Sequence, residues 1–125
     1  MTTIYPTLRY RDAKAAIAWL TGTLGLTEHS MMEGPDGTVS HAELAWGDSV
    51  VMLGTRSSDG RATYDTGKSV LYLVTDDPDT LYAKAADAGA HIVMELTDQD
   101  YGSREFAAAD PEGNIWAFGT YQPKV

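Results

Sequence analysis

Tyr101-Gly102-Ser103-Arg104-Glu105-Phe106-Ala107-Ala108-Ala109-Asp110-Pro111-Glu112-Gly113-Asn114-Ile115-Trp116-Ala117-Phe118 is the stretch that decides the fold of this chain. A mostly apolar run is interrupted at Asp110-Pro111-Glu112-Gly113 and then resumes. Proline presets one backbone angle of a tight turn, aspartate hydrogen-bonds the backbone ahead of it, and glycine accepts a left-handed conformation. The spacing therefore predicts a strand over 104–109, a four-residue turn over 110–113 and a last strand over 114–121.

Upstream of this hairpin lies a loop over 97–102, preceded by a strand over 91–96. Before that, 69–74 reads as extended and leads through Thr75-Asp76-Asp77-Pro78 into a helix carrying Leu81, Tyr82, Ala85 and Ala86, with Gly89 beyond its end. The same order occurs earlier in the chain. An extended 4–10 precedes Asp12 and a helix over 13–23 with Ala16, Ile17, Trp19 and Leu20 at helical spacing, followed by Gly25. Then come strands over 26–33, 39–46 and 49–55, separated by turns at Gly34-Pro35-Asp36-Gly37 and Gly47-Asp48. The interval from Asp12 to Gly25 equals that from Asp76 to Gly89. An acidic residue near each helix N-terminus and a glycine after each C-terminus suit the helix dipole and the left-handed cap.

The chain is thus expected to be α+β, one domain over 1–125 made of two βαβββ modules. These span about 1–56 and 68–122, joined by a linker at about 57–67 that is rich in Ser, Asp, Gly, Thr and Arg. A module of this size covers one sheet face with its helix and leaves the other open, so two modules must cooperate, and often two chains.

Composition narrows the chemistry. The chain has no cysteine, which excludes disulfides, thiolate metal sites and cysteine nucleophiles. A formal charge of −9 with scattered Lys and Arg argues against nucleic acid as a partner. The longest apolar runs, 49–53 and 69–74, are far too short for a membrane span, and the start shows no leader pattern; a cytoplasmic protein is expected.

The order of elements, together with Thr7-Leu8-Arg9-Tyr10-Arg11-Asp12 before the first helix, the stretch from His41 to Gly54, and Asp110-Pro111-Glu112-Gly113-Asn114, resembles the vicinal oxygen chelate superfamily of glyoxalases, bleomycin-resistance proteins and extradiol dioxygenases. The resemblance covers nearly the whole chain and looks closest to an uncharacterised glyoxalase-like branch. It implies that the two modules form a curved, half-barrel-like mixed sheet with helices on the outer face and a ligand groove on the concave side. It also implies metal-ligand positions at Tyr5, Met52, Val70 or Ser69, and Ala117, which offer no set of donors for a divalent ion. No metal and no cofactor are expected, with His41 and Glu43 as the alternative pair of donors.

Pairing across Gly47-Asp48 sets Trp46 against Ser49, Leu44 against Val51, Glu43 against Met52 and Ala42 against Leu53. Ala42, Leu44, Val51 and Leu53 then face the helices, and His41, Glu43, Val50 and Met52 face the groove. Pairing across the 110–113 turn sets Phe106 against Ala117 and Arg104 against Gly119, so Arg104, Phe106, Ala108 and Ile115 join the groove while Trp116 and Phe118 enter the core.

Ligand-contacting residues are accordingly expected at Tyr5, Thr7, Trp46, Met52, Tyr72, Tyr101, Arg104 and Phe106, with Glu43 and His41 as the candidates for proton transfer. Each has an ordinary alternative: His41 and Glu43 as a half-exposed polar pair, Arg104 as a bridge to Glu105 or Asp100, Tyr5 and Phe106 as packing.

The resemblance leaves three readings of function. The first is a metal-independent homodimer that sequesters an aromatic or drug-like small molecule. The second is a metal-independent lyase or isomerase using Glu43 or His41 as general base on a carbonyl-bearing substrate. The third is an orphan structural domain.

Overall fold

A computed structural model of the protein describes residues 3–124. Its elements run β1 (Thr7–Tyr10), α1 (Ala13–Gly22), β2 (Thr27–Glu33), β3 (Val39–Trp46), β4 (Ser49–Thr55), β5 (Val70–Val74), α2 (Pro78–Asp87), β6 (His91–Asp98), β7 (Arg104–Ala109) and β8 (Ile115–Gly119). The chain divides into two compact units between Gly67 and Lys68. Each has the expected strand, helix and three strands, and the fold is α+β with two unclosed four-stranded mixed sheets.

In unit 1 the strand order is β1-β4-β3-β2, with β1 parallel to β4 and the other neighbours antiparallel. The β3–β4 pairing matches the expected register, from Trp46↔Ser49 through Leu44↔Val51 to Ala42↔Leu53. One face of this sheet packs on α1, joining Leu8, Tyr10, Ala42, Leu44, Val51 and Leu53 to Ala13, Ala16, Ile17 and Leu20, all buried. The α1 N-terminus is capped by the Asp12 carboxylate, which accepts from the Ala15 amide at 3.1 Å. Part of the 57–67 stretch folds back on itself: the Asp65 carboxylate accepts from Ser57 Oγ and from the Ser57 and Ala62 amides, and Arg56 donates to the carbonyls of Asp65 and Thr66.

Unit 2 repeats the plan with strand order β5-β8-β7-β6. Its helix is capped by Asp77, which accepts from the Thr80 amide at 3.1 Å, with Pro78 in the first turn where no helical donor is lost. The sequence spacing pointed instead to Asp76. Gly25 and Gly89, each just past its helix, have φ of 86° and 81°, as left-handed C-terminal residues do.

The closing hairpin corrects the expected register. β7 pairs with β8 as Ala109↔Ile115, Ala108↔Trp116, Ala107↔Ala117, Phe106↔Phe118 and Glu105↔Gly119. The loop therefore takes five residues, not four, closed by Asp110 N–H donating to the Asn114 carbonyl at 2.8 Å. The physical reason is the buried Asp110 carboxylate. It accepts from the Glu112 and Asn114 amides, the Asn114 side-chain amide and Trp116 Nε1, at 2.9–3.1 Å. These bonds hold Asn114 within the loop, beside Gly113 at φ 91°, in the manner of a turn followed by a left-handed residue.

A one-residue change of register moves every side chain of a strand to the other face. Trp116 and Phe118 lie where expected, in the helix-facing core, but Arg104, Phe106 and Ala108 join them on that side. Phe106 is fully buried, stacked on Phe118 with ring centres 5.2 Å apart and edge-on to Tyr82 of α2 at 5.4 Å. The open face of β7 carries Glu105 and Ala107 instead.

Candidate functional site

The open face of unit 2 holds an aromatic hollow. Tyr72 reaches it from the edge strand β5, Tyr101 from the loop between β6 and β7, Glu105 from β7, and Tyr121 and Pro123 from the segment after β8. Together they line a cleft of about 490 Å³. Tyr101 and Tyr121 meet edge to face with ring centres 5.9 Å apart, a favoured aromatic geometry. Tyr72 donates its hydroxyl proton to the Tyr121 carbonyl at 2.9 Å, and the Tyr121 amide donates to the buried Ser103 Oγ at 3.0 Å. The segment beyond β8 is thereby fixed over the sheet.

Glu105 lies at the base of this cleft with only 7% of its surface exposed. Tyr101 Oη donates to its Oε1 at 2.7 Å. The carboxylate pushes the Tyr101 phenol up to about 12, chiefly through that hydrogen bond, because losing the proton would set two negative oxygens against each other. Tyr72 is also held above its ordinary value, first by burial and, against a hydrogen bond from Ser103, by the Glu105 charge.

Room for this arrangement comes from Gly119, the cross-strand partner of Glu105. A Cβ at Gly119 would stand 2.6 Å from Tyr72 Oη and closer still to the Glu105 side chain.

Unit 1 carries a second polar cluster on its open face. Glu43 accepts from, or shares a proton with, His41 Nε2 at 2.9 Å through one oxygen and His29 Nδ1 at 3.1 Å through the other. His29 reaches it because β2 has a register irregularity between Glu28 and Ser30 opposite Glu43, the local effect of a bulge. The two imidazoles, His41 first, hold the Glu43 carboxyl below its ordinary value. Thr7 and Met52 are direct partners in the same sheet, with Met52 also paired to Glu43. Tyr5, half-exposed, stands just ahead of β1, whereas Trp46 follows the alternation of Ala42 and Leu44 and so belongs to the helix side at the hairpin end. A hollow of about 550 Å³ elsewhere in unit 1 is lined largely by polar residues, including Arg11, Asp36, Ser40 and Arg56, but Arg56 is already committed to backbone carbonyls.

Of the expected site residues, Tyr72 and Tyr101 come together in one cleft, and His41 and Glu43 in one cluster. Arg104 is tied to the helix side: its Nε and Nη2 donate to Asp79 at the start of α2 and its Nη1 to Asp98 of β6, and both carboxylates raise its already high pKa. Glu105, Tyr121, Gly119 and His29 were not among the expected residues. The Asn after Asp-Pro-x-Gly was the available signal for the first, since a five-residue loop turns Glu105 inward.

Residues 3–118 match the family model described as the Glyoxalase/Bleomycin resistance protein/Dioxygenase superfamily, and the chain belongs to that superfamily. An uncharacterised protein of Mycobacterium bovis is 31% identical over 121 residues, covering 91% of this chain and 80% of that one. Among solved structures, TioX from Micromonospora sp. ML1 superposes with a TM-score of 0.80 at 28% identity, covering 98% of this chain and 100% of that one. A lactoylglutathione lyase from Agrobacterium tumefaciens shares the fold with a TM-score of 0.72 at 19% identity, covering 94% and 92% respectively.

Many members of such a family carry a divalent metal, so the donors at the corresponding strand positions matter. Of the expected ligand positions, Tyr5 stands ahead of β1, Met52 lies opposite Thr7, whose hydroxyl accepts from Arg9, and Val70 and Ala117 lie opposite Ile115 and Tyr72. A thioether, a methyl and branched alkyl groups give a hard ion nothing to bind, and the Tyr72 hydroxyl is engaged with a carbonyl. Among the described residues no group of three or more His, Asp or Glu is arranged to hold a metal. The residues present do not fit the ion.

Proposed function

We propose that this protein binds a small aromatic molecule without a metal, holding it in the cleft of Tyr72, Tyr101, Tyr121 and Pro123 on unit 2. The observation that carries this reading is the cleft itself: three tyrosines and a proline around one hollow, of a volume that suits a small ligand. Tyrosines whose hydroxyls are already bonded, as those of Tyr72 and Tyr101 are, offer ring surface with little loss of side-chain freedom. The absence of a fitting metal-donor set and the acidic charge of −9 agree with binding rather than metal-assisted turnover.

Calorimetric titration with 1-naphthylmethanol tests the proposal. A twelve-atom fragment at ordinary ligand efficiency gives a Kd on the order of millimolar. Tyr101→Ala should weaken it severalfold, whereas Tyr5→Ala, in unit 1, should leave it unchanged. Binding that is absent, or indifferent to Tyr101, would refute the reading.

A second reading, a metal-independent lyase or isomerase, draws on the Glu43 carboxylate held between His29 and His41. The same hydrogen bonds that organise Glu43 lower its pKa, which makes it a weaker proton acceptor. Turnover of a carbonyl substrate that collapses in Glu43→Gln with KM unchanged would favour this reading over the first.

A further inference from the structure

From the placement of Glu105 we infer that the aromatic cleft selects ligands carrying a positively charged nitrogen, and that Glu105 is the residue that reads that charge. This rests on the binding reading above and names the ligand class.

Glu105 is a nearly buried carboxylate with no Lys, Arg or His of the described residues paired to it. Burying a charge without a counter-charge is costly. Tyr101 donates to Glu105 Oε1. That donor stays protonated, because its own pKa is pushed up to about 12. The Tyr72 hydroxyl also lies within hydrogen-bond reach of the carboxylate, but its proton goes to the Tyr121 carbonyl. Glu105 is one of the residues that line the cleft.

The neighbouring cation best placed by sequence, Arg104, is turned to the opposite face and occupied by Asp79 and Asp98. The tyrosine rings around the cleft present the negative faces of their π-systems, which attract a cation as well as a planar apolar surface. A ligand with an aromatic body and an ammonium or similar group matches both parts: the body lies against Tyr72, Tyr101 and Tyr121, and the charged N–H donates to the Glu105 carboxylate. Gly119 is what lets the carboxylate and the Tyr72 hydroxyl occupy the same level of the sheet. An anionic aromatic acid is disfavoured by the same carboxylate.

The test compares 1-naphthylmethylamine, an ammonium at pH 7, with the neutral 1-naphthylmethanol by calorimetry on the intact protein. The ammonium should bind tighter by on the order of tenfold, the scale of one charge-assisted hydrogen bond. Adding salt should erode the difference without abolishing alcohol binding. In Glu105→Gln, checked for folding by circular dichroism, the two ligands should bind within about twofold of each other. Equal affinity of the two ligands for the wild-type protein would overturn the inference and leave the aromatic-binding reading standing. Failure of both to bind would overturn both. Because the wild-type comparison needs no variant, a Glu105→Gln chain that does not fold leaves the proposal open to refutation.

Discussion

Tyr101 Oη donates to Glu105 Oε1 across 2.7 Å, joining the loop before β7 to the first inward side chain of that strand. The bond holds the phenol proton, so the Tyr101 pKa rises from 10.0 to about 12. A group whose pKa is higher in the folded than in the unfolded chain adds stability that is fully present below the unfolded value and is lost as pH rises through the folded one. This contribution should therefore be intact below pH 10 and disappear between 10 and about 12. Ultraviolet titration of tyrosinate in the wild type minus Tyr101→Phe should show one step near pH 12. A difference step near 10 would mean that the bond to Glu105 does not form.

Phe106 packs against Phe118 and Tyr82 on the helix side of unit 2 and is fully buried. Phe106→Ala should cost ~3–5 kcal/mol in denaturant unfolding, the usual loss for a large aromatic side chain removed from a core. A loss below about 1 kcal/mol would place Phe106 on an open face instead.

That position also marks where sequence reading stopped short. The two βαβββ units, the α1 cap at Asp12, both glycines after the helices and the whole β3–β4 register follow from local chemistry: turn residues, helical spacing and the pleat. The β7–β8 register did not, because the loop length depends on four hydrogen bonds to one buried carboxylate, Asp110, the last of them from Trp116 on the next strand. One added loop residue exchanged Arg104 and Phe106 for Glu105 on the open face. His29 was hidden for a related reason, since the irregularity in β2 that brings it to Glu43 interrupts the two-residue period. Tyr72 and Tyr101, both named from the sequence, line the cleft, whereas Tyr121, which the expected strand over 114–121 included, lies past the end of β8 at Gly119.

Among the described residues each sheet has a helix on one face only, and the other faces carry exposed apolar side chains such as Val70, Tyr72 and Val74 in β5. We expect a two-fold homodimer, in which pairing removes part of this surface from water. Light scattering over a wide dilution range should give twice the chain mass. A mass equal to one chain at all concentrations would contradict it.

The central claim is that an aromatic ligand occupies the cleft of Tyr72, Tyr101 and Tyr121 in unit 2. The most direct measurement is aromatic ¹H–¹³C NMR of the labelled protein saturated with 1-naphthylmethylamine, read through intermolecular nuclear Overhauser effects. The account predicts contacts from the naphthyl protons to the rings of Tyr72, Tyr101 and Tyr121, and none to Tyr5 or Tyr64 of unit 1. Contacts centred on unit 1, or no contacts at saturation, would contradict it.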